Sequence, residues 1–259
     1  MNACPQQARP LLIVGSQGRM GALLMRRFQE TGTPVAGIDH LHDAPPTEET
    51  LHALCGKAAV VLLCVPAAVL RPVIARLTPY MPPDAVLADI TSVKIQPLEQ
   101  MEAAWPGPVV GTHPLFGPAP APGMELPVTV VPGARATEAH THMVEQPFVR
   151  MGCRVFRSTA EQHDEAMAAI QGLNFISSLA YFATLARREE LLPFLTPSFR
   201  RRQEAARKLL TEDAPLFEGL FEANPYSHDL VRQYRAFLNI AAAGDLALLA
   251  ERAAWWWKK

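Results

Sequence analysis

The chain changes character once along its length, and this change constrains the fold more than any other feature. Over roughly the first 157 residues, short apolar runs alternate with amphipathic stretches. Most of the runs are uninterrupted, which is typical of strands whose two faces are both covered by helices. The runs that predict strands are Leu11–Gly15, Pro34–Asp39, Val60–Val65, Ala85–Asp89, Val109–Thr112, Val128–Val131 and Arg154–Phe156.

Helical periodicity fills most of the intervals between these runs. It predicts helices at residues 20–31, 67–79, 94–104 and 137–150. Repeated alternation of strand and helix indicates an α/β fold with a doubly wound, mainly parallel sheet. From Ala160 to the C-terminus the sequence shows helical periodicity alone. We therefore predict an α/β domain at residues 1–157 and an all-helical domain at residues 158–259.

Composition argues against several classes of protein. The formal net charge of the 259-residue chain is −1, so no basic field is available to attract nucleic acid. The longest apolar run, Ala58–Leu70, is too short to span a bilayer and contains Pro66. The N-terminal segment lacks the charged-then-apolar pattern of a signal peptide. These features predict a soluble, cytoplasmic protein.

Two histidine pairs raise the question of a metal site. They are His40-Leu41-His42 and His140-Thr141-His142. Neither pair has a carboxylate or thiol partner at a persuasive spacing for metal binding. The sequence therefore predicts no metal.

A glycine-rich turn follows the first predicted strand and opens the first predicted helix. Its sequence is Gly15-Ser16-Gln17-Gly18-Arg19-Met20-Gly21. A strand, a glycine turn and a helix N-terminus together place backbone N–H groups and the positive end of the helix dipole around a pyrophosphate. The motif is a variant of GxGxxG, because Ser16 stands where the first glycine is usual. The order of the elements predicts dinucleotide binding.

Asp39 indicates which dinucleotide binds. It ends the second predicted strand, about 20 residues beyond the turn. A carboxylate there binds the hydroxyls of the adenosine ribose and repels a 2′-phosphate, so the sequence favours NAD over NADP. Val65-Pro66 ends the third predicted strand and would line the same crevice. In the alternative interpretation, the glycines make only a tight turn and Asp39 only caps a strand.

Two further segments begin where predicted strands end. They are Asp89-Ile90-Thr91-Ser92-Val93-Lys94 and Gly111-Thr112-His113-Pro114-Leu115-Phe116-Gly117-Pro118. Open α/β sheets bind their ligands at the carboxyl ends of the strands. His113 is therefore a candidate base for a substrate hydroxyl. Taken alone, a histidine before a proline is more often a turn residue, and Lys94 is predicted to start a helix.

These segments resemble the prephenate/arogenate dehydrogenase family, whose members show a D-x-x-S-V-K stretch and a G-x-H-P-x-F-G-P stretch. Glu161–Asp164, followed by Ile170–Leu173, resembles the H-D…Q-x-L helix of that family. Leu195–Arg200 resembles the segment that supplies its substrate-binding arginine. The resemblance follows the same order over nearly the whole chain.

The resemblance implies roles for individual residues. His113 matches the catalytic histidine of the family, and Ser92 matches the serine that orients it. Arg200 matches the arginine that holds the ring carboxylate of prephenate, and Gln171 matches a glutamine that faces the cleft. The sequence departs from the pattern at Phe175, where many members carry a histidine. This departure bears on recognition of the substrate side chain.

His163 belongs to the same resembling segment, next to Asp164. Its place fits either the start of a helix or the cleft, and it is included among the candidate substrate-binding residues. Arg201 and Arg202, beside the matched arginine, are predicted to be surface charges.

The implied activity is NAD-dependent oxidative decarboxylation of prephenate to 4-hydroxyphenylpyruvate in tyrosine biosynthesis. Two alternatives stay open: arogenate or a related hydroxy acid as substrate, and a non-catalytic NAD-binding homologue. The helical domain would bind substrate and form a homodimer, because small residues such as Ser177 and Ala180 permit close helix packing. Trp255-Trp256-Trp257 is expected to pack against a helix or a partner subunit rather than to anchor the chain in a membrane.

Overall fold

The computed structural model describes residues 9–39 and 45–258. The chain divides into two compact units, Met1–His163 and Asp164–Lys259. The division falls inside a helix that begins at Ala160. The predicted boundary at residue 157 coincides instead with the end of the last strand, at Arg157.

The first unit is built on one seven-stranded sheet. The strands are β1 Leu11–Val14, β2 Val35–Ile38, β3 Val60–Leu63, β4 Val86–Asp89, β5 Val109–Pro114, β6 Pro127–Pro132 and β7 Arg154–Arg157. Their order across the sheet is β2-β1-β3-β4-β5-β6-β7. Every neighbouring pair is parallel except β5 and β6, which are antiparallel. All seven predicted strands are present, so the α/β prediction with a mainly parallel sheet is confirmed.

The helices of this unit connect successive strands. They are α1 Arg19–Glu30, α2 Glu48–Cys55, α3 Leu70–Leu77, α4 Ile95–Ala104 and α5 Glu138–Arg150. Four of them were predicted; the segment predicted as one helix at 67–79 is α3 flanked by short 3₁₀ turns. Helix α2 was missed because it buries only Leu51 and Cys55. Two apolar positions are too few to produce a recognisable period.

Alternating side chains of the central strands enter two separate cores, one on each face of the sheet. In β1, Leu12 and Val14 belong to one hydrophobic cluster, whereas Leu11 and Ile13 belong to the other. Because successive side chains of a strand point to opposite faces, a strand covered on both sides must be apolar throughout. This requirement explains the uninterrupted apolar runs in the sequence.

The second unit contains helices and no strand among its described residues, which agrees with the predicted helical domain. After α6 Ala160–Met167, a π-helical turn at Ala168–Gly172 precedes the remaining helices. These are α7 Leu173–Thr184, α8 Pro197–Thr211, α9 Ala214–Ala223, α10 Ser227–Ala242 and α11 Leu246–Ala253.

Much apolar surface of the helical unit is exposed. Ile170 and Phe194 are 59% and 77% exposed, and Trp257 is 81% exposed. Within the described residues, one continuous helix, Ala160–Thr184, is long and apolar enough to cross a membrane by length and composition. A single helix of this kind is weak evidence for a membrane span, because core helices of water-soluble proteins have the same composition.

Candidate active site

The glycine turn follows β1 directly, and its shape depends on two glycines. Gly15 has a φ of 85°, and a Cβ there would lie 2.5 Å from the Cys64 carbonyl oxygen. A Cβ on Gly21 would lie 2.0 Å from the carbonyl oxygen of Gly15. Any side chain at these positions would therefore push the turn away from the end of β3 or away from α1. The turn is a constrained backbone loop.

Gly18 caps helix α1 with extended backbone and without a side-chain hydrogen bond. The helix starts with Arg19 and Met20, as the motif predicted. Because no side-chain oxygen occupies the cap, the N-terminal turn keeps the geometry that suits an anionic group.

Asp39, the residue after β2, lies beside this turn. Its Oδ2 atom accepts a hydrogen bond from the backbone N–H of Gln17, with an N–O distance of 2.7 Å. Ser16 also lies here, because its N–H donates to the carbonyl oxygen of Ile38 at 3.2 Å. Val65 lies close to Gly15, since a Cβ on that glycine would be 3.1 Å from Val65 Cγ1. Tertiary structure thus brings the turn, the acidic residue and Val65 of the Val65-Pro66 segment together.

A buried ion pair lies at the carboxyl end of β4. The Lys94 ammonium lies 2.7 and 2.6 Å from the two carboxylate oxygens of Asp89, and both side chains are fully buried. Thr91 donates its backbone N–H to Asp89 Oδ2 at 2.9 Å. Thr112 of β5 donates its hydroxyl to the Asp89 carbonyl oxygen at 2.6 Å. The D-x-x-S-V-K motif is therefore closed on itself by its first and last residues.

Lys94 forms this buried ion pair, which the sequence did not reveal, and it also lies at the start of a helix. It is the N-cap residue of α4, in agreement with its predicted place at a helix start. Its burial was not predicted, because a lysine is rarely buried without a partner. The available signal was the carboxylate five residues earlier in the same motif.

His113 lies near the end of β5 and is only 3% exposed. Its Nδ1 atom lies 2.9 Å from Nε2 of His163, which is 2% exposed. The two rings meet edge to face, with centroids 5.1 Å apart. The structure thus brings together two histidines that stand 50 positions apart in the sequence.

The surroundings of His113 favour its neutral form. Burial first, and then the neighbouring His163 and Lys94, hold the pKa of His113 well below its usual value of 6.5. A neutral imidazole has one nitrogen that donates and one that accepts. His113 can therefore accept a proton at neutral pH.

Ser92 is half-buried in the loop between β4 and α4. Among the described residues, His163 shares a hydrogen bond with the His113 ring, and Ser92 does not. The orienting role expected for Ser92 stays a prediction, and Nδ1 of His113 is engaged by His163.

The candidate substrate residues of the helical unit lie on two helical segments. Gln171 is half-buried in the π-helical turn, a feature frequent at functional sites. Arg200 is exposed in the first turn of α8, which Thr196 caps by accepting a hydrogen bond from Phe199 N–H at 3.2 Å. Phe175 is 1% exposed and stacks on Phe217 with centroids 5.6 Å apart. The departure at Phe175 therefore replaces a polar group by part of the core of this unit.

No group of three potential metal ligands lies together among the described residues. His140 forms a reciprocal cap with Thr137 at the start of α5, in which its Nδ1 accepts the Thr137 N–H at 3.2 Å. The pair His40 and His42 lies outside the described residues.

Comparison with known proteins places these residues in a family. The model of the prephenate dehydrogenase nucleotide-binding domain matches residues 45–126, which include β3, β4, β5 and His113. The T-protein of Enterobacter agglomerans is 34% identical over 235 residues, covering 89% of this chain and 61% of that protein. The T-protein of Haemophilus influenzae is 32% identical over 211 residues, covering 80% of this chain and 54% of that protein.

Residues 45–126 match the nucleotide-binding domain of the prephenate dehydrogenase family, and the chain resembles members of that family over most of its length. It spans 61% and 54% of the length of the two T-proteins. A crystal structure of prephenate dehydrogenase from Aquifex aeolicus, in complex with hydroxyphenyl propionate and NAD⁺, superposes with a TM-score of 0.78. That match has 17% sequence identity and covers 96% of each chain. At this level of identity, the family fold is what the two structures share.

Proposed function

We propose that this chain catalyses the NAD-dependent oxidative decarboxylation of prephenate to 4-hydroxyphenylpyruvate, a step of tyrosine biosynthesis. The observation that carries the proposal is a buried histidine at the carboxyl edge of a mainly parallel sheet whose first strand ends in a dinucleotide-type turn. The similarity to prephenate dehydrogenases supports the same reaction.

The residues at the glycine turn fit NAD. Gly15 and Gly21 have no room for a Cβ, and Gly18 leaves the start of α1 without a side-chain cap. Asp39 brings a carboxylate to within hydrogen-bonding distance of the turn backbone. A carboxylate there suits a ribose with two hydroxyls and repels a 2′-phosphate. Bound at this turn, NAD would supply the hydride acceptor.

His113 would act on the C4 hydroxyl of prephenate. Its neutral imidazole accepts the hydroxyl proton as the C4–H bond breaks and the C4 carbonyl forms. The bond between the ring and its carboxylate then breaks, CO₂ leaves, and the bonding electrons enter the ring. The carbonyl oxygen takes up a proton to give the phenol. Aromatisation drives the second step, so the protein mainly positions and polarises the substrate.

Arg200 and Gln171 are the proposed substrate-binding residues of the helical unit. A guanidinium pairs with both oxygens of a carboxylate, which a lysine cannot do. Arg200 would therefore hold the ring carboxylate until it leaves. The capped first turn of α8 keeps the backbone of Arg200 in a fixed conformation.

The decisive experiment measures NADH formation at neutral pH with prephenate and arogenate side by side. We expect turnover with NAD, and the higher kcat/KM with prephenate. A higher kcat/KM with arogenate would keep the mechanism and change the substrate. Binding of NAD without turnover of either compound would favour the non-catalytic homologue and contradict the proposal.

A homodimer of this chain, formed through the helical unit, is proposed as the working form in the cytoplasm. It is supported by the apolar side chains that this unit leaves exposed, among them Ile170, Leu179, Phe237 and Leu238. Apolar surface of this extent marks a protein interface, and a symmetric dimer would bury each residue twice. The mass in solution, measured by light scattering in the absence of detergent, tests it, and a monomer would contradict it.

A further inference from the structure

We propose that His163 is the positioning residue that sets the tautomer of His113, rather than a ligand of the substrate. The proposal rests on the function proposed above for His113. It follows from the contact between the two buried rings, in which His113 uses Nδ1 and His163 uses Nε2, 2.9 Å apart.

The contact leaves one nitrogen of His113 for the reaction. Because Nδ1 is engaged by His163, Nε2 is the nitrogen that can meet a substrate hydroxyl. If His163 Nε2 accepts the hydrogen bond, Nδ1 of His113 carries the proton and Nε2 carries the lone pair that a base requires. If His163 Nε2 donates instead, Nε2 of His113 carries a proton and cannot act as a base.

Only the first arrangement serves both states of the reaction. After His113 has taken the substrate proton, both of its ring nitrogens carry hydrogen, and Nδ1–H still needs an acceptor. His163 Nε2 provides that acceptor before and after proton transfer, so the pair need not rearrange during the reaction. If His163 Nε2 were a donor, its N–H would face the Nδ1–H of the protonated His113.

The fold holds His163 in this place. Helix α6 starts with a reciprocal cap, in which Thr159 Oγ1 accepts the Gln162 N–H at 3.2 Å and Gln162 Oε1 accepts the Thr159 N–H at 3.3 Å. The His163 N–H then donates to the Thr159 carbonyl oxygen at 3.0 Å. The capped first turn therefore presents His163 from a backbone whose N-terminal hydrogen bonds are satisfied.

The ion pair between Lys94 and Asp89 bears on the charge near His113. Lys94 is the nearby cation, and it is paired with the Asp89 carboxylate. Asp89 therefore balances Lys94, while no carboxylate of the described residues hydrogen-bonds to the His113 ring. The orienting acceptor in this chain is an imidazole, where many histidine bases use a carboxylate.

The first test is the tautomer itself, measured on the intact protein by ¹⁵N NMR of labelled histidines at pH 7.5. The His113 signals are assigned from their loss in His113→Gln. We expect a proton on Nδ1 of His113 and none on Nε2. A proton on Nε2 would overturn the proposal. This measurement needs no substrate, so its outcome is independent of whether prephenate is turned over.

The second test is kinetic and uses three variants. His163→Ala should lower kcat by about 10- to 10²-fold, a part of the 10²–10⁴-fold that a general base contributes, with little change in KM. His163→Gln, whose amide oxygen can accept from Nδ1–H, should recover most of the loss. His142→Ala, at an exposed histidine of α5, is the matched control and should keep the wild-type rate.

The opposite pattern would show a different role. A raised KM with unchanged kcat in His163→Ala would make His163 a substrate ligand and overturn the proposal. Equal losses in the alanine and glutamine variants would do the same. If His163→Ala fails to fold, the glutamine variant and the NMR tautomer decide the question.

Discussion

The two units of the chain treat apolar residues in opposite ways. In the α/β unit, every residue of β1, β3 and β4 is buried, and the sheet separates two closed hydrophobic clusters. In the described part of the helical unit, the buried apolar residues are Met167, Ala168, Phe175 and Ala206. Most of its leucine, phenylalanine and tryptophan side chains are half-buried or exposed.

The two units therefore obtain their stability in different places. A doubly covered sheet has its core inside one chain, so its residues are fixed before any partner binds. A set of amphipathic helices with uncovered apolar stripes must bury them elsewhere. The α/β unit can therefore hold the proposed base, His113, rigidly, whereas the helical unit is suited to making an interface.

The largest effect is expected at His113, in the closed unit. His113→Ala removes the proposed base and should lower kcat by about 10²- to 10⁴-fold while KM changes little. NADH formation under saturating prephenate measures it, with circular dichroism to establish folding. A rate within the error of wild type would remove His113 from the chemistry.

The next effect concerns the stability of the closed unit. Lys94→Met leaves the buried Asp89 carboxylate without its cation and should lower the free energy of unfolding by about 3–5 kcal/mol. Arg26→Met, which breaks an exposed pair with Glu30, is the control and should cost at most about 1 kcal/mol. Urea denaturation measures both. Equal costs would mean that the Asp89–Lys94 pair is not buried in solution.

The interface proposed for the helical unit predicts a change in mass. Leu179, 42% exposed on α7, becomes charged in Leu179→Glu, which should weaken the dimer by about tenfold or more, since each buried leucine contributes about 1.5–3 kcal/mol. Val149→Glu makes the same change at a valine 47% exposed in the α/β unit, and should leave the mass unchanged. Sedimentation over a range of concentrations distinguishes them. Dissociation by Val149→Glu alone would mean that the α/β unit, and not the helical unit, forms the interface.

Arg200 tests the contribution of the helical unit to substrate binding. Arg200→Ala should raise KM for prephenate by about 10- to 10²-fold, because a charged hydrogen bond contributes about 1.5–3 kcal/mol. Its exposed neighbour Arg201 gives the control variant Arg201→Ala, for which KM should stay unchanged. Steady-state kinetics provide the comparison. A fall in kcat without a rise in KM would contradict a binding role.

The smallest effect is the pH dependence of stability in the closed unit. The folded protein holds the pKa of His113 well below 6.5. Just below pH 6.5, His113 is therefore protonated in the unfolded chain and neutral in the folded chain. The contribution of His113 is therefore complete above pH 6.5 and is lost as the pH falls below it, by at most about 1.4 kcal/mol per pH unit. Urea denaturation at a series of pH values should show that the free energy of unfolding falls less steeply with decreasing pH in His113→Gln than in the wild type. Identical slopes would mean that His113 is not buried in the neutral form.

Several features were readable from the sequence because they depend on neighbouring residues. The seven strands were predicted from short apolar runs, and the start of α1 from the glycine turn. Helix α2 was missed, since it fully buries only Leu51 and Cys55. The motifs around Asp89 and His113 were found, although only their order in the chain was known.

Hydrophobic periodicity and turn chemistry are local properties of the chain, so the α/β-to-helical order, the dinucleotide-type turn and the candidate base could be predicted from the residues alone. Three contacts follow from the folded chain: Lys94 is buried against Asp89, Asp39 reaches the backbone of the turn, and His163 meets His113. These contacts depend on strand register and on the placement of His163 beside the end of β5. Pairings over such separations leave no periodic trace in the sequence, since each partner is chosen by the three-dimensional packing and not by its neighbours along the chain.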